Sequence, residues 1–311
     1  MKIAVIGRTE ILYDTAELLA EKGHEIKLII TAKEAPEYTR TADDFEKLAG
    51  RLNARFLYTP KISAPENIEF IRNCGPIDIA VSVNYSSVIS SEATSLFPYG
   101  ILNAHGGDLP RYRGNACQAW AIINGEEKIG LCVHKMKGGE LDSGDIIEKK
   151  YMPIDINTKV GKCYSWMAEE IPGMFASAVK KLETDKNYIM EKQSEKPEDA
   201  LRCYPRCPDD GRVDWEKSNI EALRLINASS EPYAGAFCEF NGKIMRIWRA
   251  RLFADNEKYC AMCGQIASID KTSGAIIVIC GDGKLQLDEV EFDGTRGKPA
   301  GFIKSIRERL K

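Results

Sequence analysis

Met1-Lys-Ile-Ala-Val-Ile-Gly7, followed by an amphipathic pattern over 10–22 and then by Glu25-Ile-Lys-Leu-Ile-Ile-Thr31, decides the fold class. Two short, nearly continuous apolar runs around a helical period are the βαβ opening of a sheet buried on both faces. They predict an α/β architecture with a parallel, Rossmann-like sheet. The alternation continues outward with a helix at about 41–52, a strand near 55–58, a helix at 65–74 and an apolar run at 77–83. Gly7 closes the first strand, yet no Gly-x-Gly-x-x-Gly follows, so this topology is not expected to hold a dinucleotide.

With 311 residues, 44% of them hydrophobic, the chain is long enough for about two domains, each with its own core. A long helical pattern at 159–182 gives way to the polar Gln193-Ser-Glu-Lys-Pro-Glu-Asp199. Beyond it, short strand-like runs at 236–240, 245–253, 264–269, 275–280 and 285–292 are punctuated by Asn-Gly, Ser-Gly and Gly-Asp-Gly turns. Such spacing predicts a small open β-barrel, OB-like in kind. The expected division is 1–192 for the α/β domain, 193–205 for a linker and 206–311 for the barrel-like domain.

Lys and Arg number 43 against 46 Asp and Glu, a net charge of −3, so no bulk positive field draws in a polyanion. The first residues read as a buried strand and not as a signal peptide, and no apolar run approaches the ~18–20 residues of a membrane helix. A cytoplasmic protein without a membrane partner is expected. Ten scattered cysteines, with Cys132, Cys238 and Cys280 inside apolar runs, suit a reducing compartment. Cys203-x-x-x-Cys207 and Cys260-x-x-Cys263 supply four thiols, but about 53 residues and several predicted elements separate the pairs. Incidental thiols are the preferred reading, and no metal is expected.

The chemistry concentrates in Ile101-Leu-Asn-Ala-His-Gly-Gly-Asp-Leu-Pro-Arg-Tyr-Arg-Gly114 and Leu141-Asp-Ser-Gly-Asp145. Asn103 donates two amide hydrogens, His105 exchanges a proton near neutral pH, and Asp142 orients an imidazole or a water. Ile101-Leu102 reads as the end of a short strand, and Asn103 and His105, two apart, face the same way in extended chain. A helix at about 116–123 and a returning strand at 129–136 let Asp142 close on His105 from a neighbouring strand. Gly106, Gly107 and Pro110 bring backbone close to a ligand, while Tyr112 and Arg113 offer a stacking face and an anion-binding fork. A lone histidine is more often structural, which is the reading for His24; the surrounding string reverses it for His105. His134 lies in the strand beside the site, and Asp145 and Glu148 read as solvated or strand-end charges.

This string resembles the formyltransferases that use 10-formyltetrahydrofolate, whose pattern is Asn-x-His, Leu-Pro-x-Tyr/Trp-Arg-Gly and an Asp-x-Gly turn. It is met by Asn103 and His105, by Leu109-Pro-Arg-Tyr-Arg-Gly114, and by Asp142-Ser-Gly144. Gly107-Asp108 departs from it, since relatives usually carry Ser and Leu there. The resemblance covers nearly the whole chain and is strongest at 78–150. It implies that a primary amine attacks the formyl carbon, with Asn103 and protonated His105 stabilising the oxygen that becomes charged. The departing amine proton is relayed by His105 or by a water on Asp142. The same likeness places the folate against Asn84, Tyr85, Ser86, Val88, Lys135, Met136, Lys137, Gly138 and Gly139. Acceptor contacts are implied at Tyr112, Arg113 and Arg206, although surface ion pairing is the plainer account of Arg206.

Within that family, Arg206-Cys-Pro-Asp-Asp-Gly-Arg-Val-Asp-Trp215, Glu231-Pro-Tyr-Ala-Gly-Ala-Phe237 and Cys280-Gly-Asp-Gly-Lys-Leu285 look most like the sugar-modifying members. Residues 31–44 are mixed and rather acidic where the transfer-RNA enzymes carry a long basic insertion. The expected acceptor is a nucleotide-linked amino sugar. The alternative is a methionyl-tRNA formyltransferase acting on initiator tRNA, kept open by Lys217, Arg224, Lys243, Arg246, Arg249 and Arg251. A formyltetrahydrofolate hydrolase and a non-catalytic binding protein rank lower, and a homodimer is left open.

Overall fold

The computed structural model describes residues 1–36 and 38–311; Glu37, inside the acidic 31–44 stretch, lies outside them. Strands β1 (Lys2–Gly7), β2 (Glu25–Thr31), β3 (Arg55–Tyr58) and β4 (Ile79–Val83) alternate with helices α1 (Glu10–Glu21), α2 (Ala42–Arg51) and α3 (Pro65–Arg72). Then follow α4 (Ser91–Thr94), β5 (Ile101–His105), β6 (Arg113–Gly114), α5 (Cys117–Asn124), β7 (Lys128–Lys135), β8 (Ile146–Pro153), α6 (Val160–Thr184) and β9 (Arg202–Cys203). Seven of these strands form one sheet in the order β3-β2-β1-β4-β5-β7-β8. β1 to β5 pair in parallel, and β7 runs antiparallel to β5. The strand order reverses direction between β1 and β4, the mark of a doubly wound sheet.

The helices start where their caps place them. Thr9 accepts from the Leu12 amide, Thr41 and Asp44 form a reciprocal capping box, and Pro65 takes the first turn of α3, where no amide donor is needed. Alternation along the strands then splits the core between two faces. Ile3 and Val5 join α1, α2 and α6 in one buried cluster, while Ala4 and Ile6 join α3 and α4 in the other.

By its internal contacts the chain divides into two compact units. The first comprises Met1–Gly114, Gly130–Met152 and Ser165–Cys203, and the second comprises Asn115–Ile129, Pro153–Tyr164 and Tyr204–Lys311. In the second, α7 (Asn219–Ala228), capped by Ser218 and Glu221, packs on α5 and on an antiparallel sheet. That sheet holds β10 (Ala236–Phe240), β11 (Lys243–Phe253), β12 (Ile266–Ile269), β13 (Ile276–Ile279), β14 (Lys284–Phe292) and β15 (Thr295–Gly297). Its order is β10-β11-β14-β13-β12, with β15 added to β14, so the path is open between β10 and β12. Trp215, Leu223, Ile226, Ile247, Val278 and Leu287 fill its core.

Two elements differ from the sequence reading. β5 does not end at Leu102 but runs through His105, so both polar residues lie within the sheet. β8 went unread because Glu148-Lys-Lys150 hides its alternation. Those charges are paired instead of solvated: Glu148 with Ser177 and Lys181, and Lys150 with Glu170. Among the described residues, no helix is long and apolar enough to cross a membrane.

Candidate active site

The site grows from the same alternation. On β5, Leu102 and Ala104 enter the cluster shared with α1 and α6, leaving Asn103 and His105 on the opposite face. On β7, Leu131 and Val133 do likewise, leaving Cys132 and His134. The antiparallel register sets Asn103 opposite His134 and His105 opposite Cys132, so four polar or polarisable side chains share one patch of sheet. Asp142 comes to it on the turn Leu141-Asp-Ser-Gly144, with φ at +50°. Gly144 lets that turn press on β7, for a Cβ there would stand 1.5 Å from the Lys135 carbonyl oxygen.

Asp142 Oδ2 lies 3.5 Å from His105 Nδ1, and its Oδ1 lies 3.4 Å from His134 Nε2. Asn103 Nδ2 is 3.3 Å from that same Nε2. The Gly114 amide donates to Asp142 Oδ2 at 3.0 Å, and the Gln193 carboxamide donates to the Asp142 carbonyl at 3.0 Å. The three ionisable groups are 7%, 1% and 9% exposed for His105, His134 and Asp142, dry enough for their charges to act strongly on each other. Burial alone would raise the Asp142 carboxyl. The charge of His105, the hydrogen bond and charge of His134, and the Gly114 amide outweigh it and hold the group well below the usual carboxylate range.

His105 Nε2 sits 2.6 Å from the Tyr112 carbonyl oxygen. A carbonyl only accepts, so Nε2 carries a hydrogen, and Nδ1, facing Asp142, is the nitrogen whose protonation can change. The loop that supplies this carbonyl is folded tightly: Tyr112 has φ +56°, and a Cβ on Gly107 would stand 2.3 Å from Tyr112 O and 2.5 Å from His105 Nε2. Its far end is tied down as β6 pairs with β9.

Asn103, His105 and Asp142 are thus brought together. The Tyr112 ring, expected as a stacking face, is 3% exposed. The Arg113 guanidinium donates to Gln193 Oε1 at 2.9 Å and Ser194 O at 3.3 Å. Arg206 belongs to the second unit, where it donates to Ala228 O, Asp210 O and Ser229 Oγ at 2.9–3.0 Å.

The segments expected against the folate meet each other. The Gly139 amide donates to Ile89 O at 2.9 Å and Ser91 Oγ to Gly138 O at 3.1 Å, while Tyr85 and Met136 pack on one apolar cluster. Asn84 has φ +51° and gives its carbonyl to Arg8; Ser86 and Val88 are exposed. The Lys135 stem packs against Gly100, and Lys137 pairs with Glu195 at 3.2 Å. Among the described residues, no group of three or more His, Cys, Asp or Glu is placed to hold a metal ion.

Sequence reasoning placed His134 only beside the site and gave Gln193 no part in it, and both touch the constellation. His134 was legible in principle, as it falls on the same alternate face of its strand as Cys132 and opposite Leu131 and Val133. Gln193 carried no signal, because its contact with Asp142 spans 51 positions.

A doubly wound sheet that gathers an amide donor, an exchangeable imidazole and a buried carboxylate, followed by an open antiparallel β-domain, defines a class of one-carbon group-transfer enzymes. The chain belongs to the formyl transferase family: residues 1–179 match the formyl transferase domain and 207–306 the formyl transferase C-terminal domain. It is 29% identical over 303 residues to the methionyl-tRNA formyltransferase of Ruminiclostridium cellulolyticum, covering 95% of this chain and 93% of that protein. Its fold is shared with WlaRD, a sugar 3N-formyl transferase crystallised with dTDP and 5-N-formyl-THF. That match has a TM-score of 0.68 at 18% identity and covers 93% of this chain and 97% of that one. The N-formyltransferase of Helicobacter canadensis, solved with folinic acid and dTDP-3-aminofucose, aligns at a TM-score of 0.65 and 15% identity, covering 92% and 98%.

Proposed function

We propose that this formyltransferase moves a formyl group from 10-formyltetrahydrofolate to the primary amine of a nucleotide-linked amino sugar. The observation that carries formyl transfer is Asp142 meeting both His105 and His134 beside Asn103 on one sheet face. The folate donor, a substrate that leaves as tetrahydrofolate, supplies the formyl carbon. Segments 84–91 and 135–139 suit it, joined by the bond from the Gly139 amide to Ile89 O and bringing Tyr85 and Met136 to one apolar cluster.

As the amine nitrogen bonds to the formyl carbon, negative charge gathers on the formyl oxygen. The Asn103 carboxamide is the donor for it, and His105 as an imidazolium stabilises it by its charge. Asp142 stabilises that imidazolium as its ion-pair partner across 3.5 Å. The amine must lose one proton, and the departing folate nitrogen must gain one. Nδ1 of His105, bare until the attack, takes up the amine proton to form that imidazolium and gives it on to the folate nitrogen.

The sugar acceptor is favoured by how the second unit uses its basic residues. On β11, Lys243 pairs with Asp293 at 2.8 Å, Arg251 with Asp288 at 3.4 Å and Arg249 with Glu289 at 3.6 Å. Cations matched by carboxylates release few counterions to a polyanion. The second reading, initiator tRNA, is favoured by the name of a relative aligned along 95% of the chain.

Incubation with 10-formyltetrahydrofolate and a panel of UDP- and dTDP-linked amino sugars, beside charged initiator tRNA, separates the two by mass spectrometry. A gain of one CO on a sugar supports the proposal. A gain on the tRNA alone replaces its acceptor, and free formate alone removes transfer.

A further inference from the structure

Beneath the loop 106–114 lies a charged cluster that the transfer chemistry above does not use. The Lys149 side chain, on β8, is 7% exposed, and its three N–H groups meet three acceptors: Leu109 O at 2.9 Å, Glu191 Oε2 at 3.0 Å and Asp108 Oδ1 at 3.2 Å. Tyr151, two residues along, donates its hydroxyl to the same Asp108 oxygen at 2.9 Å. Leu109, Cys132 and Ile146 form an apolar plug below, and Cys132 Sγ donates to Gly107 O at 3.3 Å. The stretch 107–109, whose first two residues depart from the pattern the chain otherwise follows, is therefore fixed at two carbonyls and one carboxylate.

We propose that Lys149 is a positioning residue for formyl transfer: by pinning Leu109 O and Asp108 it fixes the loop whose Tyr112 carbonyl sets the His105 tautomer and whose Gly114 amide holds Asp142. The inference rests on the reading of Asn103, His105 and Asp142 as the transfer machinery.

The chain of contacts is short. Two residues separate Leu109 from Tyr112, and Gly107 is packed against both Tyr112 O and the His105 ring. A shift at 107–109 thus passes to the imidazole through packed backbone, with little slack to absorb it. An ammonium suits the place because it offers three donors and keeps its charge there. Burial alone would lower its pKa, but the hydrogen bond to Glu191 and the charge of Asp108 raise it above the ordinary lysine value. Replacing Lys149 alone would leave Asp108 facing Glu191 without a cation, so the informative variant removes the Asp108 charge as well.

The test uses the full chain as K149M/D108L, K149R, E191Q and N103A, with 10-formyltetrahydrofolate and the amino sugar that gains CO in the panel. In K149M/D108L, kcat is expected to fall roughly ten- to a hundred-fold with KM for both substrates within about two-fold. K149R should recover most of it, and E191Q, which leaves the bond to Leu109 O, should stay within about two-fold of the parent. The imidazole 15N spectrum of the histidine-labelled protein, which needs no substrate, should show the fixed Nε2–H form of His105 give way to mixed tautomers in K149M/D108L. A folded double variant with unchanged kcat, a loss confined to KM, an unchanged 15N spectrum or an equal loss in E191Q overturns the role of Lys149. Undiminished turnover in N103A removes the underlying reading instead, so the two failures are told apart.

Discussion

Across the β5–β7 pairing, Asn103 Nδ2 and His134 Nε2 stand 3.3 Å apart, and the same imidazole nitrogen stands 3.4 Å from Asp142 Oδ1. One nitrogen cannot accept from an amide and donate to a carboxylate at the same time. His134 therefore either donates from Nε2 to Asp142 or accepts there from the Asn103 carboxamide, and so couples the two groups. His134→Phe removes both contacts and is expected to lower kcat roughly ten- to a hundred-fold at unchanged donor KM. His134→Gln, which keeps an amide at the site, should recover part of it. Steady-state kinetics on the two variants, with thermal unfolding to verify the fold, check this.

The depressed Asp142 carboxyl makes the stability of the first unit depend on pH in a definite direction. Its folded-state pKa lies below the unfolded value near 3.9, so the stabilisation is complete above that value and is lost as pH falls through the folded pKa. Denaturant unfolding of the parent should weaken progressively below about pH 4. Asp142→Asn, which has no proton to take up there, should flatten that slope while lowering turnover about a hundred-fold or more, as the loss of an imidazole-orienting carboxylate does elsewhere.

Gly107 has no space for a side chain, because a Cβ would meet Tyr112 O at 2.3 Å and His105 Nε2 at 2.5 Å. Gly107→Ser forces the loop away from the imidazole. We expect a loss of about 1–3 kcal/mol in stability, the usual cost of overpacking, and a larger proportional loss in kcat. Chemical denaturation and initial rates on the same preparation separate the two effects.

The cysteines divide sharply by environment. Burial pushes the thiols of Cys132, Cys238 and Cys280 up to about 12, whereas Cys207 and Cys260 are exposed. Iodoacetamide at pH 8 should therefore label Cys207 and Cys260 in the native protein and reach the other three only on unfolding. Peptide mapping reads the outcome, and prompt native labelling of Cys132 would show that the loop above it opens.

Much of this was legible in the sequence because it is local. The helical patterns of α1 and α2, the apolar runs of β1, β2 and β4, and the turn-punctuated strands of the second unit each act within a few residues, where period and propensity suffice. The face shared by Asn103 and His105 follows from their spacing of two. β8 escaped because the charged Glu148-Lys-Lys150 interrupts its apolar alternation; Glu148 and Lys150 pair with α6, and Lys149 with Asp108 and Glu191. Tyr112 was read by its ring, yet it is its backbone carbonyl, presented at a positive φ, that meets the site.

What the sequence determined alone was the kinds of element, the face on which the polar residues of β5 lie and the chemistry those residue types permit, since all three depend on short-range period and side-chain identity. Only the tertiary structure decided that His134 shares Asp142 with His105, that Gln193 holds the Asp142 turn and that Lys149 braces the loop beneath His105. Those contacts join positions 8 to 51 residues apart, on separate strands and turns. Their existence depends on sheet register and on which backbone carbonyls burial leaves to be satisfied.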